Sequence, residues 1–275
     1  MTNVFNIVDY NYQKLGLDIV VRLQPHPDKI IKGGEDSFFI NCNNEHTSIG
    51  VADGVGGWIS EGIDSGLYSR ELMSHVFDYM ANSKSNNIND TQVKSLIYSK
   101  NKTMVKGSST ALVLTVCNNY LYSANIGDSS YLLIRNNVVI YKSPCMQHSF
   151  NYPYQLQYDG GDSINNTNSM KIPIELNDII IMGTDGLFDN IYTGQILRLL
   201  SNNNDINNFA NQLLNEVIKL SNNNTWISPF AYEAKKHNID NLLGGKLDDI
   251  TIIIAKVIDK ETEKEVGRNF RPLIV

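Results

Sequence analysis

Five segments of the chain carry carboxylates in the same setting, at the edge of a strand-like run and beside a turn. They contain Glu35-Asp36, Asp53-Gly54, Asp128, Asp185 with Asp189, and Asp248-Asp249. Asp-Gly is a common turn dipeptide, so each segment taken alone favours an ordinary turn. Several carboxylates that converge cannot all stay ionised without a cation, because like charges raise one another's pKa. Since Mg²⁺ and Mn²⁺ prefer carboxylate, carbonyl and water oxygens, the set predicts a site for hard divalent ions.

The segment around Asp53 is the most specific of the five. Asp53 follows the apolar run at 47–51 and precedes Gly54. A backbone carbonyl can approach an ion closely where no Cβ intervenes, which only glycine allows. We therefore predict that Asp53 bridges metal ions and that Gly54 supplies a main-chain oxygen.

Five ordered motifs resemble those of the metal-dependent protein phosphatases (PPM), the type 2C serine/threonine family, and are most similar to the branch that contains mitochondrial phosphatases. They are Gly-Gly-Glu-Asp at 33–36, Val-Ala-Asp-Gly-Val-Gly-Gly-Trp at 51–58, Gly-Ser-Ser-Thr at 107–110, Asp-Gly-Leu-Phe-Asp-Asn at 185–190 and Asp-Asp-Ile-Thr at 248–251. The likeness runs from about Gly33 to Val257. It implies hydrolysis of phosphoserine and phosphothreonine by water that two Mg²⁺ or Mn²⁺ ions activate, without a covalent phosphoenzyme.

The resemblance also implies residue roles. The candidate metal-binding residues are Glu35, Asp36, Asp53, Gly54, Asp128, Asp185, Asp248 and Asp249. Asp53 would bridge two ions, and Asp128 would help to hold a weaker third one. Asp249 occupies a position where relatives often carry asparagine, so a turn or a supporting role is favoured for it. Asp189 is expected to support the site rather than to bind an ion.

Two positions depart from the family pattern. Many relatives carry a histidine, usually assigned as the leaving-group acid, where this chain has Val55. His148 is a candidate substitute, although a lone histidine is more often a plain polar side chain, and water could also protonate the leaving oxygen. Relatives often bind the substrate phosphate with an arginine where this chain has Ile31. Lys32 could replace it as a point charge rather than a bidentate fork, or it could be an exposed lysine without a role. Together with Asp53, these residues are the catalytic candidates.

Two other functions compete with an active phosphatase. The missing histidine and arginine favour a pseudophosphatase, a weak or inactive fold that serves as a binding or regulatory module. The complete set of core carboxylates favours activity. Haloacid-dehalogenase-type phosphatases use Asp-x-Asp after a strand, and neither Asp53 nor Asp185 has an aspartate two residues away. That class is therefore disfavoured.

Strands dominate the elements that must position these residues. Strands are predicted at 17–23, 37–41, 47–53, 110–117, 120–126, 131–135, 138–142, 178–184 and 250–257, and helices at 64–80, 91–98 and 206–220. Asn118-Asn119 and Asn136-Asn137 predict two-residue hairpin turns, because asparagine tolerates positive φ. The stretch from 110 to 142 is therefore predicted to be an antiparallel meander. Asparagine patches at 86–90, 163–168, 201–208 and 222–224 are predicted to be surface loops.

The mixture of strands and helices, without strict βαβ alternation, favours an α+β fold with antiparallel sheets. The family resemblance implies a four-layer αββα sandwich of two antiparallel β-sheets flanked by helices, with the metals at one edge. Arg70 and Glu71 are expected on the solvated side of the first helix. We predict one catalytic domain over 1–275, with its core at about 17–258.

Composition excludes some partners. The net charge of −6 without a basic patch argues against nucleic-acid binding. No apolar run approaches the roughly 20 residues that span a bilayer, so no membrane insertion is expected. Three cysteines without C-x-x-C, and no visible targeting pattern over 1–10, favour a reducing intracellular compartment. Family likeness suggests mitochondria, and the cytoplasm is the alternative. The expected partner is a phosphorylated protein substrate, and the sequence leaves the oligomeric state open.

Overall fold

The structure, a computed structural model, describes residues 15–43, 45–203, 205–259 and Arg271. The segment 1–10, used above to predict the compartment, lies outside these residues. The strands are β1 (Leu15–Gln24), β2 (Asp36–Cys42), β3 (Thr47–Asp53), β4 (Ser108–Ser109), β5 (Ala111–Cys117), β6 (Tyr120–Ile126), β7 (Ser130–Arg135), β8 (Val138–Lys142), β9 (Gln147–Ser149), β10 (Tyr152–Pro153), β11 (Leu156–Gln157), β12 (Asn168–Pro173), β13 (Ile179–Gly183) and β14 (Ile250–Asp259). The helices are α1 (Ser65–Ala81), α2 (Thr91–Lys102), α3 (Asp185–Phe188), α4 (Thr193–Ser201), α5 (Ile206–Ser221) and α6 (Pro229–Lys236), with 3₁₀ turns at Pro27–Lys32, Gly56–Glu61, Ser85–Asp90 and Ile164–Asn166.

Two five-stranded antiparallel sheets form the centre of the fold. Their strand orders are β1-β14-β13-β7-β8 and β12-β6-β5-β3-β2. Side chains of a strand alternate between its two faces, and β14 shows this clearly. Ile253 and Val257 pack into a core shared by both sheets, whereas Ile252 and Ile254 pack on the helical side. The sheets therefore lie face to face.

Helices cover the outer face of each sheet. Leu72 and Val76 of α1 pack with α2 against the sheet that contains β5. Phe209 and Leu213 of α5 pack with α4 against the sheet that contains β14. Both helices bury residues at helical spacing, which is why they were recognisable in the sequence. The predicted four-layer αββα sandwich is confirmed. Among the described residues, no helix has the length and apolar character needed to cross a membrane.

The predicted meander over 110–142 is wrong in one respect. Both Asn-Asn turns exist, with φ between 48° and 63° at all four asparagines. The hairpin β5–β6 belongs to one sheet, however, and the hairpin β7–β8 belongs to the other. The chain changes sheet at 127–129. Because of this crossing, Asp128 lies where the ends of the two sheets meet.

Two further expectations need correction. The asparagine patch at 201–208 is not all loop, because α5 begins at Ile206 with Asp205 as its N-cap. Arg70 and Glu71 are half-buried rather than simply solvated. Arg70 donates to the carbonyl oxygen of Gly34 at 3.1 Å, and Glu71 accepts two backbone N–H groups from the loop after α2 at 2.9 and 3.1 Å. Periodicity identifies the buried face of a helix but not the loops that cross its other face.

Candidate metal centre

Asp36 and Asp53 lie opposite each other at the ends of β2 and β3. Such directly opposed residues have Cβ atoms about 4.5–5.5 Å apart. One carboxylate oxygen of Asp36 accepts hydrogen bonds from the hydroxyls of Thr184 and Thr251, at 2.8 and 2.7 Å. Both threonines lie on the side of the other sheet: Thr251 is within β14, and Thr184 directly follows β13. These bonds hold the ends of the two sheets together at the carboxylate pair.

The Gly-Ser-Ser-Thr motif fixes the backbone of Asp53. The Thr110 hydroxyl accepts the Asp53 N–H at 3.1 Å, and the Thr110 N–H and the Ser109 hydroxyl donate to the Asp53 carbonyl at 2.9 and 2.8 Å. Gly54 is closely surrounded by backbone atoms. A Cβ added there would lie 2.7 Å from the Ser65 carbonyl oxygen and 2.8 Å from that of Glu35. The backbone at 53–54 therefore has a fixed position that accepts only glycine after the aspartate.

Asp185 and Asp248 come from the sheet of β13 and β14 and share a lysine. Asp185 begins α3, with one residue between it and the end of β13. The Lys246 ammonium group contacts a carboxylate oxygen of Asp185 and lies 2.9 Å from Asp189 and 3.2 Å from Asp248. All three carboxylates therefore surround one cation.

Glu35 and Asp249 form a second cluster around Lys29. The Lys29 ammonium group contacts a Glu35 oxygen and lies 3.3 Å from an oxygen of Asp249. Asp249 is only 2% exposed and also accepts the backbone N–H of His26 at 2.7 Å and that of Glu35 at 2.9 Å. Its carboxylate is thus occupied in tying β14 to the loop before β2.

Asp128 is buried at the crossing between the sheets. One of its oxygens accepts a hydrogen bond from the Gln147 side chain at 2.8 Å. Burial, followed by the charge of Asp185, raises the pKa of Asp128 to about 7. The crossing therefore places a fifth acidic segment in the same region as Asp185 and Asp53.

The other carboxyl groups also influence one another. Burial and then the charges of Asp185 and Asp36 raise the pKa of Asp53 well above its usual value. Burial and then Asp249 raise that of Asp36. The pKa of Asp189 and that of Asp248 both rise to about 6, chiefly through burial. Asp185 differs: burial alone would raise its pKa, but the Lys246 ammonium together with hydrogen bonds from Asp53 and the Gly186 backbone lowers it. Like charges have been concentrated in a partly dehydrated site, which a cation would stabilise.

The donor set fits hard divalent ions. One oxygen of Asp36 and one of Asp185 are buried without a hydrogen-bond partner in the described part of the chain. An unpaired buried carboxylate oxygen is costly unless it meets a cation. As the side chains stand, no three His, Cys, Asp or Glu residues among those described are grouped around one ion position, and the ammonium groups of Lys29 and Lys246 lie among the carboxylates instead. Oxygen donors on a rigid backbone still match Mg²⁺ and Mn²⁺.

His148 and Lys32 do not touch the carboxylate cluster. The His148 ring pairs with Asp162, at 2.9 Å from Nε2, and stacks on Tyr154 with ring centroids 4.0 Å apart. Neighbouring side chains of a strand point to opposite faces. Gln147 and His148 are neighbours in β9, so because Gln147 faces Asp128, His148 faces away from it. Lys32 is exposed and lines a cleft of about 550 Å³ beside Asp36.

Two cations at the site were missed by the sequence analysis. Lys29 precedes Glu35 by six residues, and Lys246 precedes Asp248 by two. Lysines are common near the surface, and neither belongs to a quoted motif. The one available signal was the position of Lys246 within Gly-Gly-Lys-Leu-Asp-Asp, directly before an acidic motif.

Comparisons with known proteins agree with this geometry. The family model described as protein phosphatase 2C matches residues 31–152. The chain is 36% identical to the probable protein phosphatase 2C 55 of Arabidopsis thaliana over 250 residues, which cover 89% of this chain and 52% of that protein. It is 37% identical to the protein phosphatase PTC7 homolog fig of Drosophila virilis over 246 residues, which cover 82% of this chain and 78% of that protein. It therefore spans about half the length of the plant relative.

Solved structures show the same fold. The X-ray structure of the photosystem II phosphatase PBCP superposes with a TM-score of 0.82 at 31% identity, over 88% of this chain and 98% of that one. The catalytic domain of the serine/threonine phosphatase PstP, solved with two manganese ions, superposes with a TM-score of 0.66 at 14% identity, over 89% of this chain and all of that one. The second likeness supports the fold alone. With these relatives, its motifs and its two-sheet architecture, the chain belongs to the protein phosphatase 2C family, whose members are Mg²⁺- or Mn²⁺-dependent protein serine/threonine phosphatases.

Proposed function

We propose that this chain is itself an active enzyme that removes phosphate from phosphoserine and phosphothreonine of a protein substrate. The observation that carries the proposal is the convergence of carboxylates from both sheets on one place, with several pKa values raised by burial and mutual repulsion. Such a concentration of unfavourable charge is typical of a functional site. A pseudophosphatase has no need to maintain it.

Each sheet would contribute part of the ion-binding set. From one sheet and its flanking loop the candidates are Glu35, Asp36, Asp53 and the carbonyl of Gly54, and from the other Asp185 and Asp248, with Asp128 between them. Bound ions would supply an activated water and neutralise the charge of the phosphate. The chain's own residues hold the geometry. Thr184 and Thr251 orient Asp36, and the segment 108–110 fixes Asp53, so that little reorganisation is needed during the reaction.

The direct test is hydrolysis by the purified full chain. We expect turnover of a phosphoserine peptide and of para-nitrophenyl phosphate with Mn²⁺, and loss of both when a chelator is added. Restored turnover after Mn²⁺ is returned would exclude irreversible damage by the chelator. No turnover by a folded, Mn²⁺-supplemented protein would favour the pseudophosphatase.

Asp248 and Asp249 should behave differently when each is replaced by asparagine. Asp249 is engaged by two backbone N–H groups and Lys29, whereas Asp248 shares Lys246 with Asp185. Asp248→Asn should weaken Mn²⁺ binding by more than about 100-fold, and Asp249→Asn by about 10-fold at most. Isothermal titration calorimetry measures both affinities.

Asp249→Ala provides the matching stability measurement. It would leave the buried N–H of Glu35 without an acceptor, which should cost about 2 kcal/mol in the free energy of urea unfolding. The opposite ranking of the two asparagine variants in Mn²⁺ affinity would make Asp249 the ligand and Asp248 its support.

The role of His148 can be tested with two leaving groups. Para-nitrophenolate leaves without protonation, whereas a serine alkoxide needs an acid. Because His148 is engaged by Asp162 and Tyr154, we expect His148→Asn to lower kcat by the same small factor on both substrates, with water as the acid. A loss of about 100-fold confined to the phosphoserine peptide would identify His148 as the leaving-group acid.

Lys32 is proposed to attract the substrate rather than to clamp its phosphate. It lies on the rim of the cleft, close in sequence to Ile31, and the half-buried Arg70 lines the same cleft. A lysine at an exposed position acts as a mobile point charge. It can therefore favour the approach of a phosphorylated segment without fixing its orientation.

The domain extent and the compartment are proposed from likeness. A single catalytic domain over 1–275, with its core at 17–258, is supported by the extent of both sheets. Mitochondrial residence is supported by the similarity to the PTC7 homolog. Fractionation of cells that express the full natural protein would test the compartment, and a cytosolic fraction containing all of it would contradict the proposal.

A further inference from the structure

Lys246 occupies an unusual position for a lysine. Its side chain is only 14% exposed, and its ammonium group contacts Asp185, Asp189 and Asp248 together. The ammonium also lies 5.0 Å from the centre of the Phe230 ring. Lys246 therefore places a positive charge inside the acidic site, in contact with three carboxylates.

The backbone of Lys246 is fixed from the neighbouring motif. Its N–H donates to the side-chain oxygen of Asn190 at 2.8 Å, and the Asn190 amide donates to the carbonyl oxygens of Lys246 and Gly186, both at 2.9 Å. Asn190 is fully buried. Asn190 thus links the segment after β13 to the segment before β14, and this link places Lys246 beside Asp185. Such a construction indicates a role for the charge rather than chance proximity.

We propose that Lys246 is a resident counter-cation of the acidic site, which holds its carboxylates together without metal and competes with a divalent ion for Asp185 and Asp248. This inference rests on the proposed function, in which those two aspartates bind an ion. The ammonium is tethered, so its effective concentration at the carboxylates is high. A divalent ion must displace the ammonium group or share the carboxylates with it. The affinity for the ion is therefore lower than the carboxylates alone would give.

The test is to remove the charge while keeping the aliphatic length, in Lys246→Met. Calorimetric titration should show Mn²⁺ binding at least about tenfold tighter than in the wild type, because a positive charge within contact distance has been removed. The metal-free variant should melt about 5 °C lower, since its carboxylates have lost their only contacting lysine among the described residues. Lys246→Arg keeps the charge and should bind Mn²⁺ with nearly wild-type affinity.

Lys219→Met is the matched control, because Lys219 is an exposed lysine of α5 paired only with Glu216 among the described residues. It should change neither affinity nor melting temperature. A merely structural lysine would also lower the melting temperature when removed, but it would not tighten metal binding. Unchanged or weaker Mn²⁺ affinity in Lys246→Met would therefore overturn the inference, whatever happens to its stability.

A variant that fails to fold without metal can still be tested by refolding it in Mn²⁺ and titrating the ion away. Unfolding at a lower free Mn²⁺ concentration than in Lys246→Arg would support competition, and unfolding at a higher one would contradict it. A wild type that binds no Mn²⁺ at millimolar concentration would remove the proposed function together with the inference. Mn²⁺ binding by the wild type without any gain in Lys246→Met would remove the inference alone.

Discussion

Asp53→Asn should abolish Mn²⁺-dependent phosphatase activity and at the same time stabilise the metal-free protein. Burial, followed by repulsion from Asp185 and Asp36, raises the pKa of Asp53 well above its usual value. Keeping this carboxylate ionised at neutral pH therefore costs free energy in the folded state. A neutral amide of the same size removes that cost, while the negative charge and one of the two oxygens that would hold the ions are lost.

The two effects are measured separately. Loss of several kcal/mol of electrostatic stabilisation should lower kcat/KM for a phosphoserine peptide by about 1,000-fold or more at saturating Mn²⁺. In the presence of chelator at pH 7.5, the melting temperature should rise by several degrees, about 2–4 °C for each kcal/mol. Most substitutions of partly buried residues destabilise a protein, so a gain in stability is a distinctive result.

Asp159→Asn is the control for charge removal alone, because Asp159 is exposed in the loop after β11. It should leave both activity and melting temperature unchanged. Full activity in Asp53→Asn would contradict a metal-binding role for Asp53. A lower melting temperature without metal would contradict the account of Asp53 as a strained charge.

The frame of the site could be predicted from the sequence because each of its parts is encoded locally. Every predicted strand agrees with the structure to within two residues at each end, since alternation or continuous apolar character marks a buried strand. The five acidic segments also meet, as expected. Each lies at the end of a strand of one of the two sheets or within two residues of such an end, and strand ends gather at sheet edges.

The crossing at 127–129 could not be predicted in the same way. Hairpin turns are set by local φ values, which the asparagines reveal. Whether one hairpin continues the sheet of the previous one depends on which strands pair across long distances, such as β7 with β13. Nothing in the residues between Ile126 and Ser130 distinguishes a turn within one sheet from a passage between two.

The lysines were missed for a different reason. Lys29 and Lys246 form ion pairs with carboxylates that are remote in the chain, Lys29 with Asp249 and Lys246 with Asp185. The same applies to Arg70, which reaches the carbonyl of Gly34. Long flexible side chains can satisfy many partners, so their roles follow from tertiary packing. Sequence patterns reveal the candidate metal-binding carboxylates more readily than the lysines that neutralise them.

Without divalent ions, the protein should become less stable as the pH rises from about 5 to about 8. The pKa of Asp128 is raised to about 7, and those of Asp189 and Asp248 to about 6, in each case chiefly by burial. The unfolded chain releases these protons near pH 4. Between those values the folded state binds more protons than the unfolded state, so the free energy of unfolding falls with rising pH.

Several groups contribute to this fall, but they interact, so their effects do not simply add. A rise of two pKa units corresponds to about 2.7 kcal/mol, and we expect a total loss of about 2–4 kcal/mol over the window. The shift in the pKa of Asp185 has the opposite sign: burial would raise it, but Lys246 and hydrogen bonds from Asp53 and Gly186 lower it. The contribution of Asp185 to the free energy of unfolding is fully present above the pKa of the unfolded chain. It declines only in stronger acid, below the range from pH 5 to pH 8.

Saturating Mn²⁺ should remove this pH dependence, because ions that bind the ionised carboxylates displace their protons. Melting curves at pH 5, 6, 7 and 8, with chelator or with Mn²⁺, measure the effect, and the gap between the two series should widen toward pH 8. Asp128→Asn should flatten the metal-free series between pH 6 and 8, where Asp128 titrates, whereas Asp159→Asn should leave it unchanged. A gap that stays constant with pH would mean that the ions bind somewhere other than these carboxyl groups, since occupation of the same oxygens by protons and metal makes the two equilibria inseparable.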